Sequence, residues 1–178
     1  FLTVKYTHDS NGRVLTEEYI RDVDSAGKVV RSLSFNKESI NYASYDLQTK
    51  RTFYNNYDLP YLDEYFNYNE LGYLMERIER IKMTSAVYTY NYEYNREGKL
   101  SAIRKSSNRT EGFLEEFLFK YDELGNLIEK HIYKNGEFIT DIQIIYSSKT
   151  KLLSSVITRE VSTDFMMILR FNNYEFFR

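Results

Sequence analysis

"FKYDELGNLIEKHIY", residues 119–133, alternates apolar and polar side chains, breaks at Tyr-Asp, passes through a glycine and resumes its alternation from a leucine. Period-two alternation is the pattern of a β-strand with one buried face. A polar break that ends in glycine suits a short hairpin loop, because glycine takes up left-handed backbone without a Cβ penalty. The stretch therefore reads as strand, turn and return strand. Asp122 sits where a short side chain accepts hydrogen bonds from turn amides. Asn69 and Asn95 do the same in "FNYNELGYLMERI" (66–78) and "YEYNREGKLSAIRK" (92–105).

The phrase recurs along the chain. Its anchors are Tyr6, Val23, Tyr45, Tyr68, Tyr94, Tyr121 and Tyr146, with a weaker start at Phe171; the gaps are 17, 22, 23, 26, 27, 25 and 25 residues. Turn glycines follow at Gly12, Gly27, Gly72, Gly98 and Gly125, and are missing after Tyr45 and Tyr146. Two residues beyond the glycine stand Val14, Val29, Leu74, Leu100 and Leu127, each placed to pack across its hairpin beside the anchor. Strict alternation would align Tyr88, Tyr90, Tyr92 and Tyr94 on one face, Phe113, Phe117, Phe119 and Tyr121 on another, and Phe138, Ile142, Ile144 and Tyr146 on a third. Each unit is then one hairpin of about 25 residues, and the set predicts a dozen or more antiparallel strands in sequential order.

Two segments resist. Residues 72–83, "GYLMERIERIKM", fit helical spacing through Leu74, Ile78 and Ile81, and alternate poorly as a strand; their place in the repeat makes them a strand. Residues 54–65 hold Pro60, the single proline, and read as a loop between units.

Tyr121-Asp122 followed by Gly125-Asn126-Leu127 resembles the YD repeat of RHS-like proteins, with "YNELGYL", "YNREGKL", "VDSAGKV" and "YTHDSNGRVL" as degenerate copies. The resemblance implies a bacterial, extracytoplasmic protein of stacked hairpins, periplasmic, secreted or a surface lipoprotein. Phe1 in place of Met agrees with the expectation of a removed leader. "YKNGEFI", residues 133–139, with turn glycine Gly136, is similar to the MORN repeat instead, which implies an intracellular scaffold.

The formal charge of −2, from 24 basic and 26 acidic residues, gives no basic footprint for nucleic acid. Aromatics make up 17% of the chain, 18 Tyr and 12 Phe, the composition of half-buried strands. With 0 Cys there is no disulfide, thiolate zinc site or cysteine nucleophile. The longest apolar run is "FMMIL", residues 165–169, far short of the ~20 residues of a transmembrane helix.

His8 and His131 lack HxH or HxxxH partners and read as ordinary turn and strand histidines. "DVDSAGK", residues 22–28, has Ala26 and Leu33 where a calcium loop needs carboxylates, so it reads as turn capping. Glu17-Glu18, Asp63-Glu64 and Glu115-Glu116 are strand neighbours pointing to opposite faces, and read as solvated. No nucleophile elbow or phosphate loop is present. The expectation is no catalytic, cofactor or metal residue; the ladder Tyr88, Tyr90, Tyr92 and Tyr94 reads first as core packing or an aromatic-coated sheet face, and, where exposed, as a ligand surface able to stack sugars or to anchor another surface protein.

The sequence thus predicts an all-β single domain, residues 1–178: an antiparallel meander of tandem hairpins in a large, twisted, curled sheet or open half-barrel. Its expected role is non-enzymatic binding or structure outside the cytoplasm. The intracellular scaffold is the alternative, and a hydrolase stands last.

Overall fold

The computed structural model describes the backbone of residues 2–25 and 28–174, and the side chains of 3–20 and 37–174. Every described element is a strand. They are β1 (Leu2–His8), β2 (Val14–Ser25), β3 (Lys28–Tyr45), β4 (Gln48–Tyr54), β5 (Pro60–Tyr68), β6 (Leu74–Ile81) and β7 (Ala86–Tyr94). β8 (Leu100–Ser107), β9 (Thr110–Tyr121), β10 (Leu127–Lys134), β11 (Glu137–Tyr146), β12 (Leu153–Glu160) and β13 (Phe165–Arg170) complete the set. They form a 13-stranded sheet in strict sequence order. No helix is long and apolar enough to cross a membrane. The chain divides into two compact units, residues 1–88 and 89–178.

One five-residue turn is reused. In each copy an Asx side chain accepts from the amides two and four residues on: Asp9 from Asn11 and Arg13, Asn69 from Leu71 and Tyr73, Asn95 from Glu97 and Lys99, Asp122 from Leu124 and Asn126. The Asx carbonyl accepts from the amide of Gly12, Gly72, Gly98 or Gly125, all with φ between 76° and 86°. The Asx amide in turn donates to the carbonyl four residues on, so four bonds close each loop, which is why so short a polar phrase fixes it. Hydrogen bonds from Asn126 and the turn amides hold the Asp122 carboxyl below its usual pKa, so the cap stays ionised as an acceptor. Gly27 lies outside the described residues.

A fifth copy escapes the glycine pattern. Asn55 accepts from Tyr57 and Leu59, and Asp58 fills the glycine position at φ 55°. Of residues 54–65, then, only 55–59 are loop; Pro60 opens β5, where its missing N–H costs least. Where glycine is absent after Tyr45 and Tyr146, Asp46 at φ 46° and Lys151 at φ 60° take the left-handed position. Asn135 and Gly136, at φ 49° and 82°, make the two-residue turn that joins β10 to β11. Val23 lies inside β2, before a turn at the opposite end of the hairpins from those after β1, β5 and β9, which accounts for its short gap of 17 residues.

Residues 74–81 are a strand, and the register explains their poor alternation. Tyr68 pairs with Leu74 but Asn67 with Glu76, so Met75 is a bulge. Leu74 therefore shares a face with Arg77 and Glu79, while Glu76, Ile78 and Arg80 take the other. The same extra residue follows other long turns: Leu15, Tyr61, Ile128 and Ser154 are each skipped in their ladders. A bulge reverses the facing of everything beyond it. In β11 the skipped residue is Ile139, so Phe138 turns from the face of Ile142 to that of His131 and Tyr133, against whose rings it packs at 5.2 and 5.1 Å. The expected alignment of Phe138 with Ile142, Ile144 and Tyr146 fails for this reason.

Two anchor tyrosines pair across their hairpins as expected, Tyr68 with Leu74 and Tyr121 with Leu127, and Tyr146 pairs in the same way with Leu153; Tyr6 instead opposes Glu17 and Val23 opposes Arg31, so Val14 and Val29 pair with His8 and Asp24. Tyrosine hydroxyls, one of them an anchor's, also lock successive hairpins. Tyr121 donates its hydroxyl to the Leu100 carbonyl at 2.9 Å, Tyr42 to that of Val14 at 2.8 Å, and Tyr174 to that of Leu153. Each acceptor is the first strand residue after the preceding long turn. Tyr174, 21 residues beyond Leu153 as Tyr121 is beyond Leu100, holds the position the sequence reading gave to Phe171. Tyr121→Phe removes only this bond and is expected to cost about 1 kcal/mol in urea unfolding, with the strand content unchanged by circular dichroism.

Burial is thin. Among the described residues the buried apolar side chains are Ile20, Ile40, Ala86 and Ala102. Cations shield much of the remaining ring surface: Arg51 lies 4.6 Å from the Phe66 centroid, Lys50 5.2 Å from Tyr65, and Lys130 5.1 Å from Phe117. Such contacts contribute ~0.5–1 kcal/mol each while their aliphatic stems cover the sheet.

Candidate ligand-binding face

Asp63 and Glu64 are strand neighbours on β5, point to opposite faces as expected, and yet both are buried, at 7% and 6% exposure. Their solvated reading is overturned, because each meets cations from the flanking strands. Asp63 accepts from Thr52 at 2.7 Å and lies 3.3 and 3.2 Å from the Lys50 and Lys82 ammoniums. Burial by itself would raise its pKa; the Thr52, Lys82 and Lys50 contacts outweigh that and lower it. Glu64 accepts a hydrogen bond from Arg51 Nε at 2.8 Å, and the Arg51 Nη2 lies 2.5 Å from the same carboxylate oxygen in an ion pair.

The Glu64 side of β1–β5 carries a cleft of about 510 Å³. Register places its lining there: Tyr6 opposes Glu17, Tyr42 opposes Arg51, and Phe66 opposes Thr49. Tyr68 and Ile40 complete the apolar wall, and Arg13, just past the Gly12 turn, closes one end. Both arginines are held by a ring and a carboxylate: Arg13 over Tyr42 at 4.6 Å with Asp9, Arg51 over Phe66 with Glu64. A guanidinium fixed on one edge and one face presents its remaining N–H groups in a set direction. Glu17 accepts from Tyr6 at 3.3 Å and Tyr19 at 2.7 Å. Its charge raises the pKa of Tyr6, and its hydrogen bond raises that of Tyr19, so both phenols stay protonated. The cleft therefore offers aromatic faces, oriented cationic donors and a single carboxylate, Glu17.

The expected ladder lies on β7. Tyr88, Tyr90, Tyr92 and Tyr94 are half-buried, with Asn91 and Glu93 exposed between them. Lys105 sits 5.5 Å from the Tyr90 ring. His131 is half-buried on β10, 3.3 Å from Asp141. Glu115 and Glu116 meet Lys105 and Arg104, on opposite faces. Among the described residues no group of three or more His, Asp or Glu is placed to hold a metal.

Sequence reasoning did not single out Tyr42, Phe66, Arg13 or Arg51. Tyr42 stands three residues before an anchor and Phe66 two before, and only the pairing of β3, β4 and β5 brings them together.

In fold, the chain is similar to a porin-like protein from Bacteroides uniformis. The likeness covers 94% of this chain and 86% of that one, at 11% identity and a TM-score of 0.50. Weaker likenesses exist to the TcdB2–TccC3–Cdc42 complex (12% identity, 85% of this chain and 9% of that one, TM-score 0.44) and to a Bacteroides fragilis protein of unknown function (13%, 88% and 90%, TM-score 0.27). At 11% identity the first of these likenesses is one of fold alone. No protein-family model matches the chain, and no curated protein does.

Proposed function

We propose that the chain is a non-enzymatic, extracytoplasmic module of YD-type hairpins that binds a carbohydrate or another surface protein on a ring-lined sheet face. The observation that carries this is the cleft on β1–β5, where the rings of Tyr6, Tyr42, Phe66 and Tyr68 gather beside Arg13 and Arg51. Aromatic faces stack the apolar side of a sugar ring, and arginine edges donate to its hydroxyls or carboxylates. The half-buried ladder Tyr88–Tyr94 is the second ring-bearing strand in this reading. Membership among YD-type repeats is supported by the Asx–Gly turn, repeated at 9–13, 69–73, 95–99 and 122–126. The extracytoplasmic placement rests on that resemblance.

A glycan array tests the reading. Binding is expected, with a loss of about tenfold for Tyr6→Ala or Tyr68→Ala if the cleft is the site, and for Tyr90→Ala if the ladder is. No glycan retained by the wild-type chain, and no surface protein captured by it, defeats the proposal. The scaffold alternative draws on the Asn135-Gly136 hairpin of the MORN-like stretch. Fractionation of the native cells separates the two, since an intracellular scaffold stays with the cytoplasm.

A further inference from the structure

The charges around the cleft on β1–β5 are unevenly partnered. Both arginines are already matched: Arg13 Nε lies 2.6 Å from the Asp9 carboxylate, and Arg51 Nε donates to Glu64 at 2.8 Å. Glu17, in the cleft wall, is held otherwise. Its hydrogen bonds come from two neutral phenols, Tyr6 and Tyr19, and among the described residues no cation pairs with it. Glu38 stands directly across the ladder from Glu17, which puts both carboxylates on one face. It too takes a phenol, the hydroxyl of Tyr61, whose pKa burial raises first and that bond second. Arg77 and Glu79, next along on β6, cancel each other at 2.6 Å. Asp9, Glu17, Glu38 and Glu64 therefore outnumber Arg13 and Arg51 around this cleft.

We propose that this cleft selects uncharged saccharides and turns away those that carry carboxylates or sulfates. The inference rests on the reading of the cleft as a sugar site and narrows its ligand. A hydroxyl both donates and accepts. One sugar can therefore donate to Glu17 and accept from the arginine edges that Asp9 and Glu64 leave open. A carboxylate or sulfate only accepts. It would compete for Arg13 or Arg51 with the carboxylate each already holds, beside the uncompensated charge of Glu17 and Glu38. Glu64 is the firmer competitor: it is 6% exposed, and an anion that drew Arg51 away would leave it buried without its cation.

Discrimination of this kind is built from repulsion as much as from attraction. The rings do not supply it, since Tyr42, Phe66 and Tyr68 offer the same surface to the apolar side of a neutral sugar and of its uronate. What separates the two is one substituent, a hydroxymethyl or a carboxylate, and the charges it meets. The cleft opens to solvent, so that difference is screened by salt.

A glycan array printed in matched pairs tests this on the whole chain: oligosaccharides of mannose beside those of mannuronate, glucose beside glucuronate, and N-acetyllactosamine beside its sialylated form. The neutral member of a pair is expected to be retained about tenfold more strongly than the acidic one in dilute buffer, with the ratio shrinking at high salt. Glu17→Gln keeps an acceptor oxygen but removes the charge, and should lower that ratio by about fivefold. Glu38→Gln should lower it too, whereas Glu123→Gln, on an exposed turn of the other unit, should leave it unchanged. Stronger retention of the acidic members, or a ratio that salt and both glutamate variants leave unmoved, would overturn the inference while sugar binding stands. If no glycan of either kind is retained, the sugar reading itself fails and this inference with it. Circular dichroism of each variant separates misfolding from a change of preference.

Discussion

Asp63→Ala is expected to lower the stability of the first unit by about 3 kcal/mol, because it removes one hydroxyl bond and two ammonium partners from a buried carboxylate. Lys50 and Lys82 are 28% and 41% exposed and regain water, which keeps the loss below that of a fully buried pair. Asp63→Asn keeps the Thr52 bond and discards the charge, so about half the effect is expected. The pH dependence has a definite sign. The carboxyl pKa is lowered in the folded chain, so its contribution is present in full above the unfolded value near 4 and disappears as pH falls through the lower folded value. Urea unfolding at stepped pH should show wild type losing stability over that acid window. The same experiment on Asp63→Asn should show a smaller loss there; an equal loss in both would mean that Asp63 is not the group responsible.

The triple variant Gly72→Val, Gly98→Val, Gly125→Val is expected to cost about 4 kcal/mol in total, since each β-branched side chain is forced into left-handed backbone at ~1–2 kcal/mol. The φ values are 81°, 76° and 86°. At Gly72 an added Cβ meets nothing within 4 Å, so its cost there is purely torsional. At Gly125 it would come to 2.6 Å from the Lys99 ammonium, a flexible end that moves aside and gives up its place over Tyr121. Gly72→Asn provides the internal control: Asn135 and Asp58 already occupy this conformation, so it should cost less than half of Gly72→Val. Equal losses for Asn and Val would show that backbone conformation is not what the glycine supplies.

What made the hairpins legible is local. The Asx, the glycine and the hydrophobic residue two places later act within five to seven residues, and each does its work through bonds inside the turn. The turns without a glycine signal are those whose left-handed residue is Asp, Ser or Lys, as at Asp58, Ser85 and Lys151; these residue types are common elsewhere and carry no signal of their own. Gly112 escaped for another reason. It sits in β9 where Ser106 pairs with Phe113 and Ser107 with Thr110, a bulge visible only against its partner strand.

The cleft was less legible still. Tyr42, Arg51 and Phe66 lie on three strands, and each looks like an ordinary strand residue in its own segment. The acids show the same limit: Asp63-Glu64 reads like Glu17-Glu18, yet β4 and the turn just after β6 bring Lys50 and Lys82 onto Asp63, and β4 brings Arg51 onto Glu64.

By itself, then, the sequence determined that the chain doubles back again and again into neighbouring antiparallel strands, because turn chemistry and side-chain alternation are properties of a few consecutive residues. The tertiary structure alone decided which face each side chain takes, which acids are buried, and where rings and arginines meet. A single bulged residue reverses the facing of all that follows it, and whether a residue is bulged depends on its partner across the ladder.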